Sequence, residues 1–187
     1  MRVKNTLVID LARLIVKVNL RMRYQEKKYR VDSFIKIQKI LGGVGAKKGK
    51  EVVATHYYTQ QENNDVIKLV KYSDRNEIHM LEESKGKFSL KENSPVENTE
   101  VGLQWLKDKG YKTVNLVKMA QVDYEYKNGI VGLYFIDDFL YSVILDFPQQ
   151  QHESIEKEFE LDNAGVISIA FNKYLKQIGQ LRSMKLS

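Results

Sequence analysis

The sequence predicts an α+β protein of about eight strands, mostly antiparallel, with three or four helices. Three observations carry this. From Lys50 to Phe147 the chain reads as consecutive β-rich segments, interrupted by one helical stretch. Within that run "YKNGIV" (Tyr126–Val131) holds an Asn-Gly hairpin turn and "IDDF" (Ile136–Phe139) a second tight turn, the connections that join antiparallel neighbours. Beyond it Ile167, Phe171, Tyr174, Ile178 and Leu181 recur at helical spacing. So many successive strands must close on themselves or hide two edges. A closed barrel with helices packed outside is one solution, and its interior can be polar where it is wide enough to hold a ligand.

The elements follow in order. Leu7–Leu20 is the only long apolar stretch, with Leu7, Leu11, Leu14, Ile15 and Val18 on one helical face and Asp10, Arg13 and Lys17 elsewhere. It reads as an amphipathic helix that packs on its own domain or on a protein partner; a strand and a membrane-surface helix are the competing readings. It is too short and too charged to span a bilayer, and no small-residue cleavage site follows it. Arg21–Val31 reads as a strand, then Asp32 or Ser33 caps a short helix with the stripe Phe34, Ile37, Ile40 and Leu41, stopped by Gly42-Gly43. "GGVGAKKGK" lacks the spacing of a P-loop and has no strand before it, so it reads as a flexible basic connection. Strands are expected at Glu51–Gln60, Val66–Ser73, Glu77–Glu83 and Lys87–Lys91, a helix at Thr99–Lys109, and strands again at Thr113–Tyr126, Gly129–Ile136 and Phe139–Phe147. The domain division is an N-terminal amphipathic segment, 1–20, and a barrel domain, 21–187, that includes the C-terminal helix.

Composition bounds the chemistry. The chain has 187 residues, 43% of them apolar, so a substantial core is expected rather than disorder. With no cysteine, disulfides, thiolate metal sites and cysteine nucleophiles are excluded, which is compatible with a reducing cytoplasm. A formal net charge of +6 favours anionic partners such as phosphates, nucleotides, nucleic acid or acidic proteins, although the basic residues are scattered. His56, His79 and His152 show no metal spacing, and "HESIEKE" lacks the second histidine of the zinc motif. Tyr57, Tyr58, Tyr124 and Tyr126 suit barrel packing as well as base stacking, and no nucleophile elbow is present.

The charge pattern of the first strand is anomalous. In "YQEKKYR", Tyr24, Glu26, Lys28 and Arg30 share one face, and the alternate residues are no more apolar. "VIKLVK" sets Lys68 opposite in facing to Ile67 and Leu69, Lys118 lies in phase with Ala120, Val122, Tyr124 and Tyr126, and Asp146 alternates with Leu145 and Phe147. Either these strands have a wet outer face, or their polar groups line a tunnel.

The order of "YQEKKYRVDSFIKIQKIL", "THYYTQ", "VIKLVKY", "GYKTVNLVKMAQVDYEY", "LYFIDDFLYSVILDF" and "FELDNAGVISIAFNKYLKQI" resembles the CYTH family, the triphosphate tunnel metalloenzymes, over roughly Arg23–Leu181. The resemblance implies an eight-stranded antiparallel closed barrel in which basic side chains hold a triphosphate and carboxylates hold Mg²⁺ or Mn²⁺. Carried over by position, Glu26 and Asp137 take catalytic places; Lys28, Arg30, Lys68 and Lys118 take phosphate; Glu26, Asp137, its neighbour Asp138 and Asp146 take metal. Glu82, Lys85 and Lys87 lie near the place of a middle-strand lysine. The chain also departs from the pattern: Tyr24 replaces a Glu, Val70 and Gln121 replace basic residues, and Pro148 replaces the last Glu.

Hard cations need oxygen ligands, and a polyphosphate needs several fixed positive charges. Loss of several such groups at once predicts a retained fold and weakened chemistry. Two functions remain in view: a binder of triphosphate, polyphosphate or nucleotide with residual metal-dependent hydrolysis, and a catalytically inactive module for a phosphorylated ligand, RNA or a protein docked through residues 7–20. A barrel with no polyphosphate role is the third.

Overall fold

The computed structural model describes residues 24–59, 65–84 and 87–186. The segment Leu7–Leu20 and Lys85 lie outside them. In chain order the elements are β1 (Tyr24–Val31), α1 (Ile35–Gly43), β2 (Lys47–Thr59), β3 (Asp65–Lys71), β4 (Asn76–Ser84), β5 (Lys87–Val96), α2 (Thr99–Asp108), β6 (Thr113–Tyr126), β7 (Gly129–Ile136), β8 (Leu140–Pro148), α3 (His152–Glu158), β9 (Gly165–Ile167), α4 (Phe171–Gln177) and β10 (Arg182–Lys185).

β1–β8 are the eight expected strands, with β6 and β7 at the expected bounds. β2 starts earlier, because Lys47 and Lys48 of the supposed loop pair with Glu125 and Tyr124 before a bulge. Neither Asp32 nor Ser33 caps α1: Phe34 precedes its first turn without a side-chain bond. Asn98 does cap α2, accepting from the Val101 N–H at 2.9 Å. The C-terminal helix is shorter than its apolar spacing suggests: Ile167 belongs to β9, and Ile178 and Gly179, φ +72, end the helix before Leu181. α3 is short and was not anticipated.

All the ladders are antiparallel, and the sheet runs β5-β4-β3-β2-β6-β7-β8-β1-β9, with β10 beside the first half of β6. The ladder itself is open, whereas a closed ring was expected. The edge of β1 that a ring would offer to β5 is taken by β9, which pairs Ile167, Val166 and Gly165 with Lys28, Tyr29 and Arg30. β1 and β5 nonetheless approach within 8 Å between Cα atoms, so the sheet curls strongly.

On the outer face Tyr29, Leu133, Val143, Leu145 and Phe147 pack against Ile37 and Leu41 of α1 and Ile155 of α3. Leu69 and Ile78 pack against Leu106 of α2. α4 departs from the expectation that every helix lies outside. Its Phe171 and Leu175 pack on the inner face with Val117, Met119, Ile136 and Ile144. No helix among the described residues is long and apolar enough to cross a membrane.

Candidate functional site

The register of β1 resolves the anomaly of its charges. Glu26 faces Asp146 and Lys28 faces Ile144 across the β1–β8 ladder, while Lys27 and Tyr29 take the other face. On that outer side the Tyr29 hydroxyl donates to Glu156 at 2.7 Å, and Lys27 Nζ lies 2.5 Å from the same carboxylate. Burial, then the hydrogen bond to Glu156, raise the Tyr29 phenol's pKa. Glu26 and Lys28 point inward, into a cavity of about 250 Å³ walled by β1–β4, β6–β8 and the start of α4.

This cavity gathers residues far apart in sequence. Lys28 and Glu26 come from β1, His56 and Tyr58 from β2, Val66 and Lys68 from β3, His79 and Leu81 from β4, Met119 and Gln121 from β6, Tyr134 from β7, Ile144 from β8, and Phe171 from α4. Lys28 is buried, with Nζ 3.5 Å from Glu26 Oε1 and 5.5 Å from the centre of the Phe171 ring. Lys68 Nζ lies 5.2 Å from the centre of the Tyr58 ring. Burial lowers the Lys68 pKa to about 8; Glu26 opposes the shift and Lys28 adds to it.

His56 stacks on Tyr58 at 5.9 Å and is buried, and neither of its ring nitrogens has a hydrogen-bond partner among the described residues. Burial, then Lys68 and His79, push its pKa well down, so it is neutral. His79 meets Glu77 at 2.8 Å, and its pKa is lowered chiefly by burial.

Farther along the same face, Asp146 faces Ile130, and Asp123 faces Gly132. A Cβ at Gly132 would lie 2.6 Å from the Tyr134 ring and 2.9 Å from Asp123 Oδ1, so the missing side chain leaves room for both. Burial raises the carboxyl pKa of each aspartate; Asp146 adds to the shift of Asp123, and His152 opposes that of Asp146.

Of the residues singled out from sequence, the cavity unites Glu26, Lys28 and Lys68, with Asp146 opposite Glu26. It does not include the others. Lys118 faces outward because its neighbours Val117 and Met119 take the inner face, and its ammonium pairs with Asp138 at 3.1 Å. Asp137 is a turn residue: its φ is +50, its Oδ1 accepts from the Lys118 N–H at 2.8 Å, and Arg182 pairs with the same oxygen. Asp138, φ +63, is in the same turn. Arg30 is exposed and reaches the Tyr174 hydroxyl at 3.5 Å. Glu82 pairs with Lys91 at 3.5 Å.

The four carboxylates proposed for Mg²⁺ or Mn²⁺ therefore do not converge. Among the described residues no three His, Asp or Glu side chains are grouped to hold a metal ion. The described residues do not fit the implied metal. His56, His79 and Asp123 were not anticipated. Asp123 and Gln121 lie in phase with Met119 on β6, opposite to Lys118.

No family model and no curated protein matches the sequence. Solved structures do. The PH1012 protein of Pyrococcus horikoshii OT3 aligns at TM-score 0.71 and 17% identity, over 80% of this chain and 97% of that one. A "putative adenylate cyclase" from Vibrio parahaemolyticus aligns at TM-score 0.63 and 10% identity, over 82% and 97%. HpAC1 of Hippeastrum, a "putative adenylyl cyclase" with a dominant triphosphatase activity, aligns at TM-score 0.52 and 10% identity, over 86% and 98%. The chain has a CYTH-like fold.

Proposed function

We propose that the protein binds a phosphorylated small molecule in the inner cavity, and that the curled sheet encloses it as a tunnel. One observation carries this reading: Lys28 and Lys68, from separate strands, are brought into one cavity. Ammonium groups drawn toward an interior favour anionic charge beside them, and among the described lining residues two ammonium groups meet one carboxylate, Glu26. A phosphate offers the remaining charge and the acceptors for charge-assisted hydrogen bonds. The solved neighbours named for cyclase and triphosphatase activity support a nucleotide or triphosphate as the broad ligand class. With the carboxylates dispersed, the binding module is favoured over the hydrolase.

The test is thermal unfolding and calorimetry with inorganic phosphate, tripolyphosphate and ATP, each with and without Mg²⁺ or Mn²⁺, alongside an assay for released phosphate. A ligand held only by the folded state raises the midpoint by mass action. The expected result is stabilisation that Lys28→Met with Lys68→Met removes, without phosphate release. Release that Glu26→Gln abolishes would make the protein a hydrolase. No shift with any phosphate compound would end the reading.

A further inference from the structure

The charge balance and lining of the cavity narrow the ligand, granted the anion-binding reading above. Among the described lining residues the full charges are Lys28, Lys68 and Glu26, with one cation already partly offset by the carboxylate. His79 is engaged by Glu77, and His56 is neutral. Enclosed charge must be closely matched. Two ammonium groups less one carboxylate leave about +1, so a phosphomonoester, at about −1.5 to −2 near neutral pH, comes within about one charge of this set, whereas a tripolyphosphate exceeds it by several.

Much of the wall is apolar: Val66, Leu81, Met119, Ile144 and the Phe171 ring. Such a surface gains nothing from inorganic phosphate and is served by a hydrocarbon body. The volume, about 250 Å³, falls below the roughly 300–1,000 Å³ of sites for drug-sized ligands.

We infer that the cavity takes a small organic phosphomonoester, its phosphate between Lys28 and Lys68 and its apolar body against Val66, Leu81, Met119 and Ile144. The apolar wall then selects against inorganic polyphosphate.

Calorimetry on the full chain near neutral pH, with phenyl phosphate, inorganic phosphate and tripolyphosphate, tests this. Phenyl phosphate is expected to bind about tenfold or more tightly than either inorganic anion. Lys68→Met, with unchanged far-UV circular dichroism, is expected to weaken it about tenfold, in line with a lost charge-assisted bond. If Lys68→Met fails to fold, Leu81→Glu puts a repelling carboxylate on the partly exposed wall and serves the same purpose. Tighter binding of tripolyphosphate overturns the inference and leaves the anion-binding reading standing. Equal binding of phenyl phosphate and inorganic phosphate removes the organic body. Phenyl phosphate binding that both Lys68→Met and Leu81→Glu leave intact puts the site elsewhere. Failure of all three compounds to bind folded protein overturns both readings.

Discussion

Lys68 and Asp137 show how a side chain's surroundings set its role. The Lys68 ammonium, held at a pKa of about 8, loses its charge just above neutral pH, while a phosphomonoester stays a dianion there. Affinity for phenyl phosphate is therefore expected to fall as pH rises through 8, and to vary much less in Lys68→Met; titrations from pH 7 to 9.5 check this. The ligand-free protein should respond in the opposite sense. The folded-state pKa lies below the unfolded value of about 10.4, so between these values the unfolded chain binds more protons. Stability relative to Lys68→Met then rises with pH from about 8 to 10.4, which denaturant unfolding at paired pH values would show. Asp137 supports the β7–β8 turn through a left-handed backbone and a bond to the Lys118 N–H. Asp137→Ala is expected to cost about 1–3 kcal/mol of stability and to leave phosphate affinity within about twofold. A large affinity loss would return Asp137 to the site.

At the level of elements, hairpin chemistry and strand phase carry different amounts of information. The Asn-Gly signal located the β6–β7 hairpin, but the turn residues are Lys127, φ +51, and Asn128, with Gly129 already paired to Tyr126. Gly129 has a packing reason: a Cβ there would sit 2.4 Å from the Phe147 ring and 2.6 Å from the Asp146 carbonyl. Gly129→Ala is expected to destabilise by about 1–3 kcal/mol through overpacking, read from the denaturant midpoint at unchanged slope. Phase was the weaker signal. Because facing alternates with a period of two, a one-residue difference sends Lys118 outward and Gln121 inward. β6 mixes polar and apolar residues on both faces, so its pattern alone could not choose. In β1 the choice was likewise open until α3 supplied Glu156 to Lys27 and Tyr29 on the outer side.

For the whole molecule, the consequential feature is the gap between β1 and β5. β5 has one ladder neighbour and carries Pro95, as suits an edge, while β9 covers part of the β1 edge. A ligand held by Lys28 of β1 and Lys68 of β3 ties the two sides of this gap. Hydrogen exchange is expected to be slowest in β6–β8 without ligand, and to slow in β1 and β3–β5 on adding phenyl phosphate. Slowing confined to surface loops would count against a ligand inside the curl.

The first eight strands, their antiparallel order, both hairpins, the α2 helix and the CYTH-like order of segments were readable from the sequence, because turn chemistry and hydrophobic period are local properties. So were Glu26, Lys28 and Lys68 as inward groups, since charges at alternate positions on β-rich strands need an explanation. Only the tertiary structure decided the rest. It took Asp137, Asp138 and Lys118 out of the candidate site, brought in His56, His79 and Asp123, placed α4 on the inner face and opened the ladder at β9. The reason is physical: facing, charge pairing and burial depend on residues tens of positions away, and a short strand such as β9 becomes visible only when an edge is there to receive it.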